Sequence, residues 1–160
     1  MNQFRIGVLV ALGSIVCGAA WGSGGEIGNG LLSHYENKKA NFEAYYPMGW
    51  GKSEIAQAVS FIESAEPGTN LGDRGAVSIS YAVVPAIRTV DDLKRRLVEN
   101  AISVQWQPVR MSGLSGYRDG SGMMYLLRNA GEIFAIAERA RPEHKSQAGV
   151  KIILDTLQFR

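Results

Sequence analysis

The stretch AVSISYAVVPAIRTVDDLKRRLVENAISV, residues 76–104, changes its period halfway along. Val77, Ile79, Tyr81 and Val83 alternate with smaller or polar residues as far as Pro85, the two-residue repeat of a strand with one buried face. From Thr89 the repeat becomes helical, because Val90, Leu93, Leu97, Ala101 and Val104 fall on one stripe. Thr89 and Asp92 spell a capping box, and Asp91 and Asp92 complement the positive end of the helix dipole. A strand feeding a helix with one apolar stripe predicts a sheet on which that helix packs.

The flanking sequence extends this pattern. Phe42, Ala44 and Tyr46 alternate within residues 41–46 and stop at Pro47-Met48-Gly49, as a strand entering a turn does. Residues 56–64 read as a strand with a helix as rival, ended by Pro67-Gly68. Residues 109–111 read as a short strand and the Gly-rich residues 112–122 as a loop. Residues 123–128 and 133–140 flank Asn129-Ala130-Gly131-Glu132, a hairpin signal. Pro142 suits a helix start, and Val150, Ile153, Leu154 and Leu157 keep helical spacing until the helix ends near Thr156. The predicted class is α+β: an antiparallel sheet with helices packed on it.

Residues 1–22 read as a signal peptide. Arg5 supplies the basic start and Ile6–Val16 the apolar run, which is shorter than the roughly 20 residues a membrane span needs. Ala20 and Gly22 suit a cut before Ser23, and Gly18 and Ala20 a cut before Trp21; the first is favoured. Cys17 opens the alternative of a membrane-anchored lipoprotein, but Val16 is a poor neighbour for a lipidated cysteine. Residues 23–39 are read as a flexible leader on the strength of SGGEIGNG at 23–30, and residues 40–160 as the folded domain. The expected location is periplasmic or secreted, with membrane contact only if Cys17 is lipidated or the signal is uncleaved.

Apolar residues make up 46% of the 160-residue chain and charged residues 20%, the balance of a soluble globular domain. Cys17 is the one cysteine, so processing would remove thiol chemistry and leave no disulfide framework. The net charge of +2 argues against nucleic acid as the partner.

The phrase FEAYYPMGW at residues 42–50 resembles the strand and Pro-x-Gly-Trp turn that opens PsbP-like domains. TVDDL at 89–93, GLSGY at 113–117 and ILDTLQF at 153–159 resemble their mid-chain helix start, the turn into their last strands, and their closing helix and terminal Phe. The resemblance spans about residues 40–160. It implies an α/β/α sandwich around an antiparallel sheet, shared with a Ran-binding nuclear import factor and with bacterial envelope lipoproteins. It carries over no catalytic residue and favours a role in binding other proteins.

His34 and His144 are the only histidines, and neither has ligand-like spacing around it, so no metal site and no cofactor are expected. Gly113, Gly116, Gly120 and Gly122 near Arg110 and Arg118 invite comparison with a phosphate cradle, but no Lys-Ser or Lys-Thr follows. Asp91 and Asp92 read as helix-cap acids, and Lys94, Arg95 and Arg96 as a solvated face. Tyr45, Trp50, Trp106 and Tyr117 are the aromatics suited to an interaction surface, with core packing as the plainer reading. The function expected is that of an exported, non-catalytic accessory protein that binds another envelope protein. The alternatives are a small hydrolase with dispersed catalytic groups and a carrier of a small apolar ligand.

Overall fold

The computed structural model describes residues 31–65, 74–100, 105–140 and 146–160. Two antiparallel sheets are formed. In the smaller, β1 (Leu32–Asn37) and β10 (Gln158–Phe159) flank β2 (Phe42–Pro47). The larger has seven strands in the order β3 (Trp50–Ile55), β4 (Ala58–Glu63), β5 (Ala76–Val83), β9 (Glu132–Arg139), β8 (Met124–Arg128), β7 (Leu114–Arg118), β6 (Gln107–Met111). Helices α1 (Val90–Asn100) and α2 (Ser146–Thr156) complete the α+β architecture expected of the sequence.

Register sorts the large sheet into two faces. The pairs Val59↔Ile79, Phe61↔Val77, Ile79↔Ile136 and Leu126↔Phe134 place these residues, all buried, on one face. Tyr35, Phe42 and Ala44 of the small sheet and Val150, Ile153 and Leu157 at the end of the chain join them in one core. Phe42 meets Phe134 edge-on at 6.0 Å between centroids, and Tyr35 meets Phe61 at 5.5 Å. Such pairs add to the area they bury, each contributing about 0.5–1.5 kcal/mol. The opposite face carries Ala58, Ser60, Ser78, Ser80, Ala135 and Ala137, with the Ser60 and Ser78 hydroxyls 2.8 Å apart. At its far end α1 packs on β7, with Lys94 Nζ 5.5 Å from the Tyr117 ring. The capping box is present: Asp92 N donates to Thr89 Oγ1, and Thr89 N to Asp92 Oδ2, both at 3.1 Å.

Three readings need correction. Residues 32–37, assigned above to the flexible leader, form β1, because Tyr35 reaches the core and every residue of the strand pairs with β2. The region 112–122 is not a loop throughout: Ser112 and Gly113, at φ 48 and 83, make a tight turn after which residues 114–118 form β7. Trp50 is not a surface aromatic. It is buried, and the indole lies where a Cβ on Gly149 would clash with it. Glycine in a helix costs about 1 kcal/mol relative to alanine, and here it makes room for the largest side chain of the core. Residues 1–30, 66–73, 101–104 and 141–145, including the signal peptide, Cys17, Pro67-Gly68, Ala101, Val104, Pro142 and His144, lie outside the described residues.

One side chain fastens the two sheets. Arg128 Nε donates to Glu132 Oε2 at 2.9 Å, its NH1 to the carbonyls of Asn41 (2.7 Å) and Arg160 (2.8 Å), and its NH2 to that of Ala40 at 2.7 Å. Its guanidinium also lies 4.9 Å above the Phe134 ring. The rigid fork of arginine makes these bonds from one position.

Candidate interaction surface

Because strand residues alternate, burying Tyr35, Ala44 and Phe42 turns the pairs Leu32↔Pro47, His34↔Tyr45 and Glu36↔Glu43 to the outer face of the small sheet. Among the described residues seven large hydrophobic side chains are exposed; Leu32 (43%) and Tyr45 (41%) belong to this face, and Leu31 (67%) and Met48 (60%) lie where the β1–β2 ladder ends. The turn that carries Met48 is tied back by a bond from its N–H to the Leu31 carbonyl at 3.2 Å. The apolar corner is therefore held in shape by backbone.

A charged cluster adjoins it. Arg160 NH2 donates to Glu43 Oε1 at 2.7 Å, and His34 Nε2 lies 3.0 Å from Glu43 Oε2. His34 also stacks on Tyr45, with centroids 4.8 Å apart. Arg160 NH1 lies 3.9 Å from Glu36 Oε1. Covered by its neighbours, Glu43 is only 8% exposed although it faces outward. The bonds from Arg160 and His34 hold its carboxyl below the usual carboxylate range. The arrangement offers a satisfied polar base beside an unsatisfied apolar rim.

The four aromatics proposed from sequence do not converge. Tyr45 lies on this outer face and Trp50 in the core. Trp106 and Tyr117 belong to the far face of the large sheet, where Trp106 packs edge-on against Tyr125 at 5.8 Å. Leu31, Leu32, Met48 and Arg160 were missed. The alternation of Leu32, His34 and Glu36 with Ser33, Tyr35 and Asn37 was the available signal.

Among the described residues no group of three or more His, Cys, Asp or Glu side chains is placed to hold a metal ion. The Gly-rich loop near Arg118 lines an open cleft of about 360 Å³ with Gln105, Gln107 and Asp119. Asp119 Oδ1 already takes the N–H groups of Ser121 (2.9 Å) and Met123 (3.0 Å), and Arg118 is paired with Glu138. The donors a phosphate would need are thus engaged by the protein's own carboxylates.

No family model matches the chain, and no curated protein matches it. Among solved structures it is similar to a protein from Bacteroides thetaiotaomicron at 16% identity and a TM-score of 0.47, covering 79% of this chain and 48% of that one. The chain thus spans about half the length of that protein. It is similar also to the cyanobacterial PsbP, CyanoP, of Synechocystis at 14% identity and a TM-score of 0.49, covering 87% of this chain and 98% of the other. A third likeness is to the Saccharomyces cerevisiae Ran-binding protein Mog1p at 10% identity and a TM-score of 0.39, covering 77% and 85%. A PsbP and a Ran-binding protein, the two kinds named by the sequence resemblance, are thus among the structures it is similar to.

Proposed function

We propose that this protein is a non-catalytic accessory protein of the bacterial cell envelope that binds another envelope protein through the outer face of its small sheet. The observation that carries the reading is the exposure of Leu32 and Tyr45 on this face and of Leu31 and Met48 at the end of the same strand pair, beside a charge cluster that is already satisfied. Exposed apolar side chains clustered next to fixed polar groups are what an interface core and rim require. The envelope location rests on the signal-like residues 1–22.

The hydrolase alternative requires a histidine between a hydroxyl and a carboxylate. His34 has the carboxylate, Glu43, but its ring lies on Tyr45 and no serine bonds it among the described residues. The carrier alternative requires an enclosed apolar cavity. Two clefts among the described residues, about 360 and 310 Å³, are open and lined largely by polar side chains.

The test places a photo-crosslinking amino acid at Tyr45, Met48, Ile55 or Val98 in intact cells of the native host. One defined protein adduct from Tyr45 and Met48, and none from the equally exposed Ile55 and Val98, is the expected result. Identical adducts from all four positions would remove the support for this surface. Intact-mass measurement of the same protein is expected to give a soluble product beginning near Ser23. A diacylglycerol adduct at Cys17 would replace that location with a lipid anchor.

A further inference from the structure

The strand that borders the apolar corner has an open side. Leu31 accepts from Met48 N, so in the alternating antiparallel ladder the hydrogen-bonded pairs are those of Ser33, Tyr35 and Asn37 with Tyr46, Ala44 and Phe42. Two further observations fix the same phase. Pro47, opposite Leu32, has no N–H to give. Tyr45, opposite His34, spends its N–H on Thr156 Oγ1 and its carbonyl on the Thr156 hydroxyl, both away from β1. The N–H and carbonyl groups of Leu32, His34 and Glu36 therefore point out from the free edge of β1, and among the described residues no strand pairs with them there.

We propose that this edge takes up an extended peptide segment of the partner as an added antiparallel strand, with apolar side chains beside Leu32 and a basic residue near Glu36. The inference rests on the binding surface proposed above and specifies how that surface is used. Main-chain bonds to three alternate residues would supply affinity, and the side chains of those residues would supply selectivity. Leu31 and Leu32 form the apolar end of the edge, with Met48 beside them across the ladder, and Glu36, half-exposed and 3.9 Å from Arg160, forms the acidic end. An antiparallel strand would lay its N-terminal half along Glu36 and its C-terminal half along Leu32, so the basic residue belongs near the peptide's N-terminus. Natural sheets blunt free edges with lysine, proline or bulges. β1 has none of these between Leu32 and Asn37.

The probe is a panel of nine-residue synthetic peptides alternating Val and Thr, with Lys at the second position. In matched controls that Lys is Glu, or alternate amides are N-methylated in one frame or the other. The full processed chain is titrated with each, and amide exchange is followed by NMR. The expected result is saturable binding, slowed exchange at Leu32, His34 and Glu36, and at least tenfold weaker binding for the Glu peptide and for one N-methyl frame only. His34→Pro should weaken binding as much as that frame does. Binding that is indifferent to both N-methyl frames but lost in Leu32→Asp and Met48→Asp would overturn strand addition and leave the apolar surface standing. No saturable binding by any peptide would overturn strand addition, and the crosslinking experiment would then judge the surface independently. Slow exchange at the three amides in the free chain would also overturn it, since the edge would already be occupied by another part of the chain or by a second copy.

Discussion

The two faces of the seven-stranded sheet are written by the same strands, one residue apart, and they differ in almost every respect. One bears Val59, Phe61, Val77, Ile79, Phe134 and Ile136, all buried under the small sheet and the C-terminal helix. The other bears alanine and serine along the middle of β4, β5 and β9, with Ile62 and Ile133 towards its ends and two serine hydroxyls bonded to each other. Side-chain size follows the thickness of what covers each face. Where a second layer closes over the sheet, large side chains fill the gap between layers. Where that layer does not extend, small side chains leave little apolar surface to cover.

Four substitutions or conditions test how far this difference carries. Phe134→Ala removes a ring that touches Phe42, Tyr81, Phe159 and Arg128, and should cost about 3–5 kcal/mol in urea denaturation. A loss below about 1 kcal/mol, the range of peripheral sites, would break the comparison. Gly149→Ala should cost about 1–3 kcal/mol despite alanine's better helix propensity, because the new methyl strikes Trp50. A stabilised variant would show that the indole can move aside.

Acid provides the third test. The carboxyls of Glu43 and Glu132 are held low in the folded protein, Glu43 mainly by Arg160 and then His34, Glu132 mainly by Arg128. A folded pKa below the unfolded one contributes stability that is fully present above the unfolded value, near 4.3 for glutamate, and is lost as pH falls through the folded value. The urea midpoint should therefore fall steeply below about pH 4. Glu43→Gln should flatten that fall more than Glu54→Gln, whose carboxyl lies in an exposed pair with Lys52. Equal slopes would detach the small sheet's ion pairs from stability. The smallest effect belongs to the polar face: Ser78→Ala should change stability by less than about 1 kcal/mol, since its partner Ser60 keeps access to water. A larger loss would mean that this face is covered more fully than its partly exposed side chains indicate.

Legibility from sequence followed the same division. The central strands β2 and β5, the β8–β9 hairpin and both helices were readable, because each carries one periodic set of apolar residues. β3 was missed because it is an edge strand whose Lys52, Ser53 and Glu54 show no apolar repeat after Trp50. β7 was hidden by glycines, and β10 is only two residues long, placed by its pairing with β2 and not by any local preference. Of the candidate surface, Tyr45 could be named from its strand. Its neighbour Arg160 could not, since sequence spacing does not reveal that the two ends of the domain meet.

That meeting has a consequence for the order in which the fold is completed. Arg128 binds the carbonyls of Ala40, Asn41 and Arg160, and Asn41 bonds to Arg160 across a separation of 119 residues. The sheet that displays Tyr45 thus joins the first strand described to the last, and closing so long a loop carries an entropy cost that local hairpins escape. During synthesis β8 and β9 can pair soon after they emerge, whereas β2 must wait for residues 158–160 before its second edge is covered. The second edge of β2 is therefore covered late, and a chain in which residues 158–160 have not yet been made would present β2 as a second open edge.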